Sequence, residues 1–552
     1  MECRDIAARS RIATREPWDI ATALLLAALA LLVACTFRQY SISNDEGVQQ
    51  RYGELIIAYY ASGFHDRALF AFDNLYLYGG LFDVAATLLA KIVPLDLYDL
   101  RHLLCACTGL GGIAATWATA RMIAGPRAGF IAAALLAVSG PWYGTMFNHT
   151  KDIPFAAAMI GATGMLVRIA RDLPRARPRD LALFGLLLGA ALGLRVLGLM
   201  MLAYVPLAAW IGLSCRAPDA RRRRAADIVR VALAFAPALL LAYLIMIAAW
   251  PWSALALFNP IRALVAFSDF HYPIRTLLDG HVYQMADVPR WYVPVYLLIR
   301  LPLITVMGVA LGLMFEALPR AMRAKPLPRT RYEIGLIALT ALFPPLCHVV
   351  VHGPAFTGLR HFLFVVPALT VLAAIGWDAA LARLAQWRRA ATLALAGVMA
   401  AVTWDGVVLA RLHPYEYLDY NELVGGLPGA AGRYATDYWV EIMPEALDRL
   451  EQRLAREQAQ GGHAGPYYVA VCAERTQFDN TPHGTLRFTK DVARADFFIA
   501  PTHMNCDRSL PGQIIVKIER LGTLIGVVKD RRAITRPGLA QNHTWPAPPL
   551  AQ

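Results

Sequence analysis

The chain has 552 residues, of which 57% are hydrophobic and only 17% are charged, and its mean hydropathy is +0.43. Since soluble domains carry about 25% charged residues, this composition excludes an ordinary soluble protein and predicts a polytopic membrane protein. The net charge of +13 is concentrated in short basic runs such as 221–224, which fit cytoplasmic loops better than a nucleic-acid-binding face.

The amino-terminal segment has a basic head followed by an apolar run from 18 to 37. This run is long enough to cross a bilayer, which takes about 20 residues, and it exceeds the core of a cleaved signal peptide, about 7–15 residues. No small-residue cleavage site stands out. We predict an uncleaved signal anchor, with residues 1–17 in the cytoplasm.

Further apolar runs follow along the chain, and each is predicted to be helical because a segment in lipid must satisfy its own backbone hydrogen bonds. The run 181–214 is too long for one crossing of about 30 Å at 1.5 Å per residue. Splitting it between Gly193 and Gly198 gives two short spans with Arg195 at the bend. The runs lie at 18–37, 77–94, 101–122, 127–146, 153–170, 181–214, 226–250, 293–317, 333–351, 362–380 and 391–410.

The run 77–94 decides the topology. It carries Asp83 and Lys91 and begins with aromatic residues, as a helix lying in the outer interface would. If it lies there, the basic loops all fall on the inner side, whereas a crossing would divide them. We therefore predict about eleven spans in the inner (plasma) membrane, with the amino terminus inside and the carboxy terminus outside. The transmembrane domain covers 18–411, with outer loops at 38–100 and 251–292.

Residues 412–535 are predicted to form a soluble extracytoplasmic α/β domain. PEALDRLEQRLAREQ is typical of a charged helix, YYVAVCA and ADFFIA of buried strands, and the segment around Leu521 and Gly522 of a hairpin turn. On the outside, Cys472 and Cys506 form either a disulfide or two free buried thiols. The tail 536–552 is predicted to be loose. The eight cysteines show no metal-ligand spacing.

Two acidic sites mark the outer side. Asp45 and Glu46 follow the first span, and Lys151 and Asp152 stand at the start of a later one. Ionisable groups at membrane depth cost about 2.5 kcal/mol or more unless they face partners or water. Two carboxylates from different helices suit a general base and a group that orients the acceptor. Taken alone, the first pair also fits a solvated loop.

These residues carry a resemblance to a known family. The chain resembles the family 39 relatives within the GT-C glycosyltransferases, which include protein O-mannosyltransferases and lipid A aminoarabinose transferases. The resemblance covers roughly residues 18–380. Its motifs are NDEG, YGGLFD, LRHLLCACTGLGG followed by GPRAG, NHTKDIPFA, PRWYVPVYLLIRLP and GLRHFLFVVP. A later segment, HPYEYLDYNELVGGLPGAAGRYATDYWVE, resembles part of a bacterial subset of these proteins.

The resemblance implies transfer of a sugar from a polyprenyl-phosphate donor to an acceptor on the outer face, with inversion at the anomeric carbon. It implies that Asp45 is the general base with Glu46 beside it, and that Asp152 binds the acceptor or orients the base. The leaving phosphate needs cations. The predicted substrate-binding residues are Arg360 and His361, then Arg195, Lys151 and Tyr292. The acceptor (lipid, glycan or protein), any divalent metal and other cofactors stay open.

Other interpretations compete with this one. A secondary transporter would use Arg195, Lys151 and Asp152 to line a pathway, but it predicts broken helices in both halves of the chain, and the sequence indicates one. A membrane scaffold of envelope assembly needs no catalysis. Three of the predicted binding residues also have structural interpretations. Arg195 could hydrogen-bond the backbone groups left unpaired between two half-spans. Arg360 could extend its side chain to the membrane interface, and Tyr292 could anchor the chain at that interface.

Overall fold

The structure is a computed structural model that describes residues 16–214, 224–268, 273–317, 328–463 and 465–536. The segment before residue 16, for which a cytoplasmic position is predicted, most of the basic run at 221–224 and the predicted tail beyond residue 536 lie outside the described residues. Contacts divide the chain into two units. The first extends to Gln39 and contains 48–276 and 283–424, and the second contains 40–47, 277–282 and the chain from Gly425.

The first unit is helical. Its helices, with α2 starting in the segment 40–47, are α1 Pro17–Thr36, α2 Glu46–Ala61, α3 Leu81–Leu89, α4 Leu97–Ala124, α5 Pro126–Ala137, α6 Gly140–Tyr143, α7 Asp152–Asp172, α8 Pro178–Leu192, α9 Met200–Ser214, α10 Arg224–Ala249, α11 Pro251–Leu255, α12 Asn259–Ser268, α13 Tyr292–Arg300, α14 Leu303–Ala317, α15 Pro328–Val351, α16 Val366–Leu384 and α17 Arg388–Leu412. A hairpin of β1 Arg275–Leu278 and β2 His281–Gln284 precedes α13.

The predicted class, a polytopic helical membrane protein, is confirmed. Within the described residues, eight helical segments are long and apolar enough to cross a membrane, and the pair α13 and α14 makes a ninth if it counts as one bent span. The eight are Pro17–Gln39, Leu97–Ala124, Asp152–Asp172, Val196–Leu213, Ala226–Ala249, Thr330–Val351, Arg360–Leu384 and Arg388–Leu412. The predicted spans at 127–146 and 181–193 form helices too short for this criterion.

The predicted span 293–317 differs from a straight helix. Its two halves are bent by 113° at a break after Arg300. Leu301 there is extended, with φ −76° and ψ 142°, because the ring of Pro302 disfavours a helical conformation in the residue before it. The Leu-Pro pair is therefore the sequence signal for a second broken segment.

The run 77–94 contains α3, whose nine residues are too short to cross a membrane at 1.5 Å per residue. That agrees with the predicted non-crossing helix. Asp83, one of the charged residues that favoured this prediction, is nevertheless buried. Its side chain is only 1% exposed and is ion-paired to Arg101, because a buried guanidinium offers the carboxylate a partner in place of water.

The helical unit extends to Val424, beyond the domain boundary that was predicted at residue 412. The difference arises because the segment after α17 packs onto α13. Asn421 donates from Nδ2 to the carbonyls of Leu298 and Leu301, at 2.7 and 2.8 Å.

Asp419, in this same segment, is expected to make stability depend on pH. Burial, aided by the nearby charges of Asp405 and Glu422, raises the pKa of Asp419 to about 7, above an unfolded value of about 3.9. The folded protein then binds the extra proton, so this contribution to stability is complete below pH ~4 and is lost as the pH rises through 7.

Asp419→Asn should therefore unfold at a higher temperature than the wild type at pH 8 and at a similar temperature at pH 5. Thermal unfolding of the purified protein in detergent across this range checks it. Identical pH profiles for the two proteins would contradict the assignment.

The second unit contains a five-stranded sheet in the order β4-β3-β5-β7-β6. The strand β3 pairs in parallel with β4 and β5, and β7 pairs antiparallel with β5 and β6. The strands are β3 Tyr467–Val471, β4 Leu486–Phe488, β5 Phe497–Pro501, β6 Gln513–Arg520 and β7 Thr523–Asp530, and the helices are α18 Gly426–Ala430, α19 Met443–Ala459, α20 Arg475–Asp479 and α21 Arg532–Thr535.

This unit confirms the predicted α/β domain. The strands, the charged helix α19 and the hairpin through Leu521 and Gly522 occur where the patterns place them. Cys472 and Cys506 form a disulfide, which resolves the alternative that the sequence left open. The segment 40–47 is held in the same unit by Gln477, which donates from Nε2 to the carbonyls of Ile42 and Trp439.

Candidate active site

The site is built around Asp152, the first residue of α7, whose side chain is 4% exposed. A helix amino terminus favours a negative charge, and two guanidinium groups add to that preference. Arg195 binds one carboxylate oxygen through Nη2, and Nε of Arg360 lies 3.0 Å from the other. Both arginine side chains are largely buried, at 11% and 9% exposed. Two cations against one anion leave this cluster with a net positive charge.

Each arginine comes from a break in the helical framework. Arg195 is extended, between the end of α8 and a 3₁₀ turn at Val196–Leu199, so its predicted place at a bend is confirmed. Arg360 begins the 3₁₀ turn Arg360–Val365 that leads into α16. The arginines bond the carboxylate of Asp152, so the alternative in which Arg195 serves only broken backbone is not what the structure shows.

Glycines let the break before Arg195 approach the chain ahead of α3. The Leu81 amide donates to the Gly193 carbonyl at 3.1 Å. A Cβ atom on Gly79 would lie 2.0 Å from that same carbonyl oxygen, closer than any side chain permits. Only glycine therefore fits at residue 79, and this contact helps to fix the backbone that presents Arg195.

Aromatic rings flank the cations. The Lys151 ammonium lies 4.7 Å from the centre of the Tyr78 ring, and the Arg195 guanidinium carbon lies 5.9 Å from it. Cations at this range are attracted to the ring face. Tyr78 in turn contacts Phe267, with ring centres 4.7 Å apart. Sequence analysis missed Tyr78, although it opens the YGGLFD motif.

His149 is a second residue that sequence analysis missed. It precedes Asp152 in the same loop and is 2% exposed. Burial lowers its pKa to about 3, although Asp152 acts in the opposite direction. The imidazole is therefore neutral at physiological pH and adds no charge to the cluster.

A cavity of about 290 Å³ adjoins the cationic cluster. Arg195 and His361 lie on its wall together with Tyr78, and most of the remaining wall is apolar. The apolar side chains come from α9, α12, α15 and the turn before α16, and include Met200, Leu264, Phe267, Val351 and Phe362. Such a cavity suits a ligand that combines a hydrocarbon chain with an anionic head.

Tyr292 does not contact this cavity wall. It is fully buried, and its hydroxyl group lies 2.6 Å from that of Thr276 and accepts a hydrogen bond from the Gly358 amide at 2.9 Å. Because these bonds tie it to the loop before Arg360, Tyr292 positions that loop. The predicted direct contact with substrate has no support from this geometry.

Asp45 and Glu46 occupy different environments. Glu46 is fully buried, and its carboxylate accepts a hydrogen bond from the Ser43 amide at 2.8 Å. Ser43 to Glu46 is thus the S-x-x-E pattern of a capping box at the start of α2, a signal present in the sequence. Asp45 is partly exposed. The geometry gives Glu46 a structural role, while the base assigned to Asp45 stays a prediction.

A buried polar network joins α2, α3, α4 and the loop before α7. Arg101 is fully buried and binds Asp83 and the side-chain oxygen of Gln50, both at 2.9 Å. Arg101 also donates to the hydroxyl oxygen of Thr150 at 3.2 Å. The same hydroxyl group donates to the side-chain oxygen of Gln49 at 2.6 Å. The network thereby fixes the residue that directly precedes Lys151.

Arg101→Gln is expected to destabilise the protein strongly. It leaves the buried carboxylate of Asp83 without its cation, and breaking such a pair costs about 3–5 kcal/mol. Thermal unfolding in detergent measures the loss. The double variant Arg101→Gln with Asp83→Asn should recover part of it, and no recovery would show that the charge pair is not the main source of the effect.

Comparison with known proteins supports the family resemblance over part of the chain. Residues 85–252, less than one third of the sequence, match the family described as dolichyl-phosphate-mannose-protein mannosyltransferase. This match includes the loop that carries His149, Lys151 and Asp152, and it extends past Arg195. The resemblance predicted from the motifs is therefore confirmed for this region. A search of curated proteins gave no match.

Three solved structures are similar to this chain at low identity. ArnT from Cupriavidus metallidurans in the apo state matches with a TM-score of 0.48 and 15% identity, over 92% of this chain and 97% of that one. The oligosaccharyltransferase AglB from Archaeoglobus fulgidus matches with a TM-score of 0.44 and 12% identity, over 87% of this chain and 69% of that one. The arabinofuranosyltransferase AftD from Mycobacteria matches with a TM-score of 0.42 and 13% identity, over 92% of this chain and 40% of that one.

Proposed function

We propose that this protein is a GT-C-type membrane glycosyltransferase that moves a sugar from a polyprenyl-phosphate donor to an acceptor on the outer face. The observation that carries the proposal is the cationic cluster of Arg195, Asp152 and Arg360, in which Arg195 lies on the wall of a mostly apolar cavity. The match of residues 85–252 to dolichyl-phosphate-mannose-dependent transferases supports the same chemistry.

The two arginines suit the donor phosphate. A guanidinium group presents five N–H donors in a fork that fits phosphate oxygens, more than the bonds to Asp152 consume. In the described part of the chain, the buried Nε of Arg195 has no hydrogen-bond partner. Donors aimed at a leaving phosphate stabilise the charge that develops as the sugar is transferred. Asp152 then holds the arginines in place, and its charge is neutralised.

The adjoining cavity suits the donor's hydrocarbon chain. Its wall is mostly apolar, with Arg195 and His361 as the charged and titratable groups near the cluster. A polyprenyl phosphate has the same arrangement, an apolar chain ending in an anionic group. The first isoprenoid units would lie against the apolar side chains of α9 and α12, with the phosphate at the arginines.

Asp45 is the best candidate for the general base. The carboxylate of Asp152 is bound by two arginines, which makes it a poor proton acceptor. Glu46 is fully buried and accepts the Ser43 amide, whereas Asp45 is partly exposed. In the reaction Asp45 takes the proton of an acceptor hydroxyl, and the oxygen attacks the anomeric carbon. The bond from that carbon to the phosphate oxygen breaks, and polyprenyl phosphate leaves, which inverts the configuration.

The orientation is part of the proposal. The Cys472–Cys506 disulfide supports an outer position for the second unit, because disulfides persist in oxidising compartments. A reporter fused after residue 412 should be active on the outer side. One fused in the loop between α7 and α8 should report the cytoplasm. A cytoplasmic signal from the first fusion would overturn the topology.

The function is tested by incubating the purified protein with a panel of polyprenyl-phosphate sugars and following sugar release or transfer by mass spectrometry. The wild type is expected to consume at least one donor. If none is consumed with crude envelope acceptors present, the proposal fails for that panel and the alternatives gain ground.

One observation favours the transporter alternative. The ranges that the structure describes contain two broken segments, at Arg195 between α8 and α9 and at Leu301 between α13 and α14, where the sequence indicated one. Transporters place binding sites at such breaks in both halves of the chain. Uptake of labelled anionic solutes into proteoliposomes, with no sugar released from any donor, would support this second function.

A further inference from the structure

His348, on α15, lies on the wall of the cavity that also contains Arg195. It is 5% exposed, and its ring packs against Phe362, with ring centres 5.7 Å apart. Within the described residues its Nε2 atom is buried and has no hydrogen-bond partner. Neither the proposed reaction nor the ion-paired cluster uses this residue.

Buried polar atoms in proteins are usually paired, so an unpaired one calls for an explanation such as a bound molecule. The cavity beside His348 is where the proposed donor places its anionic head.

We infer that Nε2 of His348 hydrogen-bonds an oxygen atom of the donor's glycosyl-phosphate head, which makes His348 a determinant of donor binding. This inference rests on the proposed function. The oxygen belongs to the phosphate or to a sugar hydroxyl, and both present the same hydrogen-bonding chemistry to an imidazole nitrogen.

His348→Phe tests the inference because it keeps an aromatic ring beside Phe362 and removes only the polar nitrogens. Replacing an unpaired buried polar atom by carbon should leave the thermal stability of the ligand-free protein equal or higher. Affinity for a polyprenyl-phosphate sugar should fall about threefold to tenfold, as expected for one hydrogen bond. His348→Gln, which retains a polar terminus, should recover part of that affinity.

His352, four residues later and just past the end of α15, provides a matched control. Its Nε2 lies 2.6 Å from the Val288 carbonyl oxygen, so this histidine already has a partner within the protein. His352→Gln should therefore leave donor affinity unchanged. A purely structural role for His348 predicts that His348→Phe lowers stability and affinity together, which would overturn the inference.

Binding of polyprenyl phosphate and of its glycosylated form, measured separately by titration in detergent, completes the test. Weaker binding of both by His348→Phe assigns the contact to a phosphate oxygen, and weaker binding of the glycosylated form alone assigns it to the sugar. Equal binding by wild type and variant overturns the inference and leaves the proposed function standing. If the wild type binds neither lipid, the proposed function fails as well.

Discussion

Asp45→Asn is expected to lower the rate of sugar transfer about 10²- to 10⁴-fold, the range that a general base contributes. The fold and the donor affinity should stay close to those of the wild type, because Asp45 is partly exposed and asparagine has the same shape. Single-turnover transfer from the donor identified in the panel measures the rate, and titration with polyprenyl phosphate measures the affinity.

Glu46→Gln is the matched control, one residue away. Glu46 accepts the Ser43 amide in a capping box, and because glutamine also serves at this position of the box, this variant should keep a stability close to that of the wild type. Its rate of transfer should stay far above that of Asp45→Asn. If the two variants lose rate equally, the separation of the pair into a base and a cap is wrong. An undiminished rate in Asp45→Asn would remove Asp45 from the mechanism.

The helical framework was predictable because a single hydrophobic segment in lipid satisfies its own backbone hydrogen bonds by forming a helix. The sequence also showed where α8 ends, since glycines flank Arg195. It did not show how sharply the chain turns at Leu301, although Pro302 was the signal. Length and hydropathy decide that a segment crosses a membrane, whereas a bend depends on the local conformation of one or two residues.

The candidate site was only partly predictable. Asp152, Arg195 and Arg360 were each singled out, but their mutual contact depends on three distant segments meeting at the head of α7. Single-sequence patterns report local periodicity and cannot specify such contacts. The same reasoning explains Tyr292, which looked like an interfacial or substrate-contacting aromatic and proved to be buried against Thr276.

The cavity was not predictable from the sequence. Its wall combines side chains from α9, α12, α15 and the turn at Arg360–Val365, which are separated by more than a hundred residues in places. Each of these residues has an ordinary alternative as part of an apolar helix face. His348 illustrates this, because only the fold shows that its Nε2 is buried without a partner.

Asp152→Asn should have the second large effect, on stability and donor binding together. Removing the charge leaves Arg195 and Arg360 buried without their shared anion, at a cost of about 3–5 kcal/mol. The guanidinium groups then lose their fixed orientation, so affinity for polyprenyl phosphate should fall. The pH dependence of the residual transfer rate should match that of the wild type, because in this mechanism Asp152 takes no proton.

Glu333→Gln provides the control, because Glu333 on α15 is paired with Arg171 at the other end of α7. Glu333 is 2% exposed and is bound by both Nε and Nη2 of Arg171, at 2.7 and 2.6 Å. The length of α7, 21 residues, separates the two ion pairs by about 30 Å at 1.5 Å per residue. Glu333→Gln should therefore lower stability without lowering donor affinity in the folded fraction.

The comparison of these two variants separates a binding role from a catalytic one. If Asp152→Asn removes one limb of the pH–rate profile, Asp152 is a proton acceptor and the division of roles with Asp45 is wrong. If it lowers stability but leaves affinity for polyprenyl phosphate unchanged, the arginine cluster holds the fold together and the phosphate binds elsewhere. Loss of affinity with an unaltered pH profile is the result that a carboxylate bound by two arginines requires, since its negative charge is already committed to Arg195 and Arg360.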